Sequence, residues 1–391
     1  MPSGLIFKDR NKLSPYYIPE RLPHREEQIR MLHSIYDALI KDVKNAYPRF
    51  TQIIGPTGTG KTCTAIRFGK QITEYARKEG VELKYIYVNC KVDGATRYVL
   101  FRNLVRKLTP KISTRSLSPE EMIQQFVEYL RAEDMFALIT FDEIDYFIQT
   151  NPKDHIIYDL TRTAETSPGE PTPIIGEIFI AKDLRWHERL DSGERSTLGL
   201  GIIKFSRYSS TQVREILLER IKEAFLPGVV GEDTLDLVSD ITANPPVNGD
   251  IRVGLDLLYY SGNLAENQGF NRVLPDHVRK VYGEINPSIT SEDIMSLDRN
   301  GKLILLALVR SLRSRGSAYV GLREIRRSYK IICEEFGLKP TEKFEESLQD
   351  LVYRGIVDMK SLTELGVSGA SLIDLEHFLN SLAERLRKEI K

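Results

Sequence analysis

Cysteine is almost missing from this chain: three residues in 391, Cys63, Cys90 and Cys333, each far from the others. They allow no disulfide framework and no zinc spacing, and the six histidines are scattered too, so no structural metal is expected. Long apolar runs are missing as well. The longest near the C-terminus, LILLALV at 303–309, is far too short to span a bilayer. The opening MPSGLIFKDRNKLSPYY has neither the apolar core nor the cleavage site of a secretory signal. Net charge is absent: 55 basic and 55 acidic side chains balance to a formal zero. That argues against indiscriminate coating of nucleic acid, while leaving a local basic patch open. Repeats and low-complexity segments are absent too. Together these absences predict a cytoplasmic protein with no membrane partner, long enough for two or three domains with separate cores.

What is present is ordered. From residue 50 to 206, short apolar strands alternate with helical patterns: FTQII (50–54), LKYIYVN (83–89), MFALITF (135–141), IIGEIFIA (174–181) and IIKFS (202–206). Such runs, separated by helices, predict a five-stranded parallel sheet covered on both faces. A helix over 118–132 is announced by SPEE, with Ser118 as N-cap, Pro119 at the first helical position and Glu121 closing a capping box. SPGEPTP (167–173) reads as a loop because of its prolines. Past residue 208 the strands stop, and four helical patterns (211–225, 233–241, 249–268, 275–283) predict a small helical domain. From about 290 three more helices follow, then two short apolar pieces, GIVDMK (355–360) and ASLIDL (370–375), and a last helix. Three helices and a hairpin form the winged-helix pattern. The domains expected are therefore 1–207, 208–288 and 289–391.

The chemistry is plainest at GPTGTGKT (55–62), a G-x-x-x-x-G-K-[ST] motif between a strand and a helix. The glycines let the backbone curl around phosphate at a helix N-terminus. The ATP/ADP-binding set is Gly55, Pro56, Thr57, Gly58, Thr59, Gly60, Lys61, Thr62 and Cys63. Lys61 would reach the β- and γ-phosphates, and Thr62 would ligate Mg2+. LITFDEID (138–145) ends a buried strand in carboxylates at the edge where ligands of such sheets bind. Asp142 fits a magnesium ligand and Glu143 a base that orients water; the two could instead be exposed acids before the next helix. Asp145 could begin that helix.

P-loop, FDEID, helical lid and winged helix in this order resemble the archaeal origin-recognition and helicase-loading initiators. These are homologues of cell division control protein 6 and of the largest origin recognition complex subunit. YYIPERLPHREEQIRML (16–32), ATRYVLFRNLVRKL (95–108), YSSTQVREILLER (208–220) and VNGDIRVGLDLL (247–258) carry the likeness onward. The resemblance implies an α/β P-loop AAA+ domain, an α-helical lid and a C-terminal winged-helix domain. It also implies Tyr208 and Arg220 near the nucleotide, and Arg252 as a γ-phosphate sensor. Two departures concern hydrolysis. Lys182, in IAKDL, stands where the family usually has asparagine; it could sense the γ-phosphate or pair with Asp183 or Glu188. DSGERSTL leaves Arg195 as the trans-acting finger.

One segment stands out by charge. RYVLFRNLVRKLTPKISTR (97–115) holds Arg97, Arg102, Arg106, Lys107, Lys111 and Arg115 and no acid. In the resembling family this insert touches DNA; the other reading is a helix face charged for solubility. Residues 302–330 add eight cations against one acid, Glu324. In the winged helix, Lys339, Thr341 and Lys343 would start the groove helix, and Lys360 would reach out from the wing. The resemblance thus implies a nucleoid-associated, ATP-dependent replication initiator. Its partners would be double-stranded origin DNA, the replicative helicase and other initiator copies or paralogues. The alternatives are a nucleotide-gated transcription regulator and a clamp-loader-like ATPase.

Overall fold

The computed structural model describes residues 6–94, 96–162, 172–286 and 289–389, with side chains as far as residue 384. The chain falls into two compact units: residues 18–207, and residues 208 onward joined by the described residues up to Tyr17.

The first unit opens with α1 (Glu26–Lys41) and continues as β1 (Arg49–Ile54), α2 (Lys61–Lys78), β2 (Leu83–Asn89), α3 (Arg97–Leu108), α4 (Pro119–Ala132) and β3 (Phe136–Asp142). Next come α5 (Ile144–Thr150), α6 (Ile156–Thr161), β4 (Ile174–Ala181), α7 (Ser192–Leu198) and β5 (Ile202–Lys204). Among the described residues the strands form one five-stranded sheet in the order β2-β3-β4-β1-β5, every neighbour parallel. Both faces are covered, which is why β4 is buried at every residue. Tyr36, Phe68 and Ile72 pack on Ile53, Ile178 and Ile180 on one side. On the other, Phe101, Phe126 and Phe147 pack with Ile86, Ile139 and Phe179. The Ser118–Glu121 capping box of α4 forms as expected, its two bonds 2.7 and 3.2 Å long. β3 ends one residue later than its pattern suggested, so Asp142 lies on the strand itself. Residues 167–171 of the expected loop lie outside the described residues.

In the second unit the lid helices are α8 (Ser210–Ala224), α9 (Glu232–Ala243), α10 (Ile251–Asn267) and α11 (Pro275–Ile285). Residues 6–13, expected with the sheet domain, pack here instead. Ile6, Phe7 and Leu13 enter the lid core, Phe7 stacks on Phe225 at 4.8 Å, and the Lys8 and Asp9 N–H groups cap the Ala224 carbonyl at 2.8 and 3.1 Å. The winged helix follows as α12 (Ser291–Ser296), α13 (Arg299–Arg315), β6 (Tyr319–Gly321), α14 (Leu322–Phe336), α15 (Phe344–Tyr353), β7 (Asp358–Met359), β8 (Glu364–Gly366) and α16 (Leu372–Glu389). Its small antiparallel sheet runs β6-β8-β7.

Two expectations are corrected here. ASLIDL is not the second hairpin strand: Ser371 accepts from the Asp374 N–H at 3.5 Å and starts α16, and Glu364–Gly366 is the strand. Lys339 and Thr341 are not on the groove helix: Pro340 biases Lys339 away from helix, and both lie in the irregular stretch before α15, whose N-cap is Lys343. Lid and winged helix share one arginine. Arg279 is 1% exposed and donates to the carbonyls of Val367, Ala318 and Ser317 at 2.6, 2.9 and 3.1 Å. Burial pulls its pKa down to about 10.

Candidate nucleotide and nucleic-acid sites

β1 runs straight into the phosphate loop. Gly58 and Gly60 have φ of 75° and 83°, a region that costs other residues strain. Gly55 is needed for closeness, since a Cβ there would lie 2.3 Å from the Phe205 carbonyl oxygen. Lys61 Nζ donates to the Gly55 and Pro56 carbonyls at 2.5 and 2.8 Å, and Thr59 Oγ1 donates to Pro56 at 2.8 Å. The N–H groups of the first turn of α2 would complete an anion cradle.

Arg25 went unnoticed in the sequence. It is 3% exposed and donates from Nε to the Thr59 carbonyl at 2.9 Å and from Nη2 to that of Ser206 at 3.0 Å. Its guanidinium lies 5.0 Å from the Phe205 ring centroid. The loop is thereby tied to the strand-five exit. The available signal was local: Arg25 is the N-cap of α1, where a hydroxyl or short acid is usual and a cation opposes the dipole.

The acids of FDEID meet the loop. Asp142, 4% exposed, accepts from Thr62 Oγ1 at 2.6 Å and from the Tyr87 hydroxyl at 2.7 Å on one oxygen, and from the Glu143 N–H at 2.8 Å on the other. Burial, with Asp142 alongside, pushes the Tyr87 pKa far up, so it stays a donor. Tyr87 was also missed; nothing in its spacing marks it. Thr62 and Asp142 offer hard oxygen donors side by side, a set that fits magnesium. Glu143 holds a left-handed conformation (φ 55°) at the N-cap of α5, partly exposed at the strand's end. A strained backbone of this kind is found where a side chain must be aimed.

β4 neighbours β1 with Ile54 opposite Ala181, so Lys182 emerges at the same edge as Gly55. Its N–H donates to Asp145 at 3.0 Å. Asp183 is taken by Arg185, at 3.0 and 2.5 Å. Arg195 is exposed on α7, its Nε donating to the Asp191 carbonyl at 3.3 Å. In the lid, Tyr208 is buried, and Arg220 is turned to the carbonyls of Lys12 and Tyr17 at 3.4 and 3.3 Å. Arg252 is exposed in the first turn of α10.

The cation-rich segments divide sharply. In 97–115, Arg97 is bound by Asp159 at 2.6 Å and Glu120 at 2.8 Å, and Lys107 by Asp93 at 2.6 Å. Arg102 is half-buried, 6.0 Å from the Tyr98 ring. Lys111 is exposed and only loosely near Glu133 at 3.8 Å, while Arg106 and Arg115 are exposed with no carboxylate partner among the described residues. In the winged helix, Lys343 lies 3.4 Å from Glu346, Thr341 bonds the Lys343 N–H at 3.1 Å, and Lys339 is exposed. Lys360 does not extend from the wing. Asp236 of the lid holds its ammonium at 2.7 Å, above the Tyr319 ring at 5.0 Å. Burial alone would lower the Lys360 pKa, but Asp236 outweighs it and the pKa is raised.

Family models match three stretches: an AAA domain at 44–180, a Cdc6 AAA+ ATPase-type lid domain at 214–283 and a CDC6 C-terminal winged-helix domain at 292–366. An ORC1-type DNA replication protein 2 of Saccharolobus solfataricus is 32% identical over 365 residues, 92% of this chain and 87% of that one. The chain belongs to the archaeal Cdc6/Orc1 family. Among solved structures, Cdc6p of Pyrobaculum aerophilum is similar at 29% identity and a TM-score of 0.82, over 97% of this chain and 99% of that one. The ORC1 protein of Aeropyrum pernix, solved in complex with DNA, matches at 28% identity and 0.62, over 96% and 97%. This Cdc6/Orc1 chain thus carries an AAA+ ATPase-type domain, lid and winged helix. Arg25 lies outside the AAA match, and α16 beyond the winged-helix match. Among the described residues no helix is long and apolar enough to cross a membrane.

Proposed function

We propose that this Cdc6/Orc1 protein is a replication initiator that binds duplex origin DNA under control of ATP. It hydrolyses ATP slowly with Mg2+, and works with other initiator copies or paralogues to recruit the replicative helicase. The observation that carries the nucleotide half is the meeting of Thr62 Oγ1 and Asp142 Oδ2, 2.6 Å apart beside the phosphate loop. Loop N–H groups would take the phosphates, and Lys61 would turn from its carbonyls to the β- and γ-oxygens. Thr62 and Asp142 would hold Mg2+, which when bound neutralises phosphate charge. Glu143 would orient the attacking water and accept its proton. Lys182 would neutralise the γ-phosphate while orienting water poorly, which makes hydrolysis slow. Arg252 would sense the γ-phosphate, with Tyr208 and Arg220 shaping the lid's entry; Arg195 would reach a neighbouring copy. For DNA, the exposed Arg106, Lys111 and Arg115 support contact by the insert, and the winged helix supplies the second surface.

Footprinting on genomic DNA with and without ATP, paired with single-turnover hydrolysis, tests this. Protection over origin regions should depend on ATP and fade with salt. Glu143→Gln should bind ATP and lose roughly 10²–10⁴-fold in hydrolysis, and Lys182→Asn should hydrolyse faster than the parent. Nucleotide-independent protection confined to promoters would overturn the initiator reading. A Gln variant as fast as the parent would overturn the role of Glu143.

A further inference from the structure

Of the eight cations in 302–330, five are occupied. Lys302 donates to the Met295 carbonyl at 2.9 Å. Arg310 is held by Glu335 at 2.6 Å and faces Glu376 at 3.5 Å. Arg313 pairs with Glu376, Arg315 with Glu324 at 2.8 Å, and Arg326 with Glu345. The remaining three, Arg323, Arg327 and Lys330, are exposed and have no carboxylate partner among the described residues. Their spacing of four and three residues puts them on one face of α14.

We propose that this stripe on α14, and not the start of α15 or the wing, is the surface by which the winged helix grips the phosphate backbone of duplex DNA. The inference deepens the DNA-binding reading above and rests on it. The opposite face of α14 is a rigid base, with Ile325, Tyr329, Ile332, Cys333 and Phe336 buried. From Arg323 to Lys330 the helix rises about 10 Å, enough to follow successive phosphates of one strand. Glu334, exposed one turn further on, ends the stripe. In a helix-turn-helix the first helix crosses the backbone, and here that helix is α14. The competing surfaces are poorer in charge. At the start of α15, Lys343 lies 3.4 Å from Glu346 and Glu345 is taken by Arg326, and Lys360 is held by Asp236 at 2.7 Å. An acidic protein surface would want the same charge, and exposed Ile331 adjoins the stripe, but three like charges spaced over about 10 Å suit a regularly spaced polyanion.

The experiment is a salt series of duplex binding by the full chain, on origin-derived and scrambled duplexes. Alanine at Arg323, Arg327 and Lys330 together should lower the log–log salt slope by about 2–3 and weaken both duplexes alike. Lysine at Arg323 and Arg327 should keep the slope. If the parent binds steeply with salt and the triple variant matches it, this inference fails while the DNA-binding reading stands. The same holds if the loss follows Lys339→Ala with Lys343→Ala, or Lys360→Ala, instead. A parent that binds no duplex overturns both.

Discussion

The phosphate corner and the segment 97–115 both present cations with close partners, and the partners make them opposites. Lys61 and Arg25 donate to backbone carbonyls. A carbonyl oxygen positions a cation and, carrying no net charge, cancels none of it. Arg97 and Lys107 are held by carboxylates, which cancel the charge locally and withdraw it from any outside partner. Proximity alone therefore says little about function; the partner's charge decides. Counting cations along the chain treats both groups alike, and that is where counting fails.

The largest effect is expected at Lys61. Lys61→Ala should reduce ATP affinity roughly 10²–10⁴-fold, the loss of about two charged hydrogen bonds; isothermal titration would check it, and unchanged affinity would mean its charge was already cancelled. Next in size is the contrast within 97–115. Alanine at Arg106, Lys111 and Arg115 should flatten the salt slope of duplex binding by about 2–3. Arg97→Ala should leave that slope alone and cost stability instead, about 1–3 kcal/mol, because half-buried Asp159 loses its partner. Urea titration and binding isotherms on the two variants separate these; matching slope losses would erase the distinction.

The smallest effect concerns an acid with no cation at all. Glu177 is fully buried at mid-β4, between Phe50 of β1 and Ile139 of β3, and neither carboxyl oxygen has a hydrogen-bond partner among the described residues. Burial pushes its pKa well above the usual carboxylate value. The folded protein then keeps this proton over a range where the unfolded chain releases it. Its stability is full below the ordinary glutamate value of about 4.3 and declines as pH rises towards the folded value. Glu177→Gln should remove that decline, with the Tm gained over the parent growing from acid to neutral pH. A constant Tm difference across pH would show that Glu177 does not titrate.

Much of the first unit was legible in its sequence. The strand runs were apolar because a doubly covered parallel sheet admits little else, and β2 and β4 begin and end where their patterns do. The phosphate loop was legible because its glycines and lysine are contiguous. The winged-helix hairpin was less so: its strands are two and three residues long, too short for an alternation to register, and ASLIDL shares its apolar run with a helix start. Residues 6–13 carried no sign of their attachment to the lid, since a few apolar side chains fit any core within reach.

Local order along the chain suffices to specify the elements and the phosphate loop followed by paired carboxylates, because those signals are short-ranged: periodicity, caps and contiguous motifs act within a few residues. Which charges remain available is set by the folded chain. Arg97 meets Asp159 across 62 residues and Lys360 meets Asp236 across 124, while Arg25 reaches Thr59 across 34. Electrostatic compensation depends on distances through space of a few ångströms. Folding sets those distances, and the spacing of residues along the chain does not.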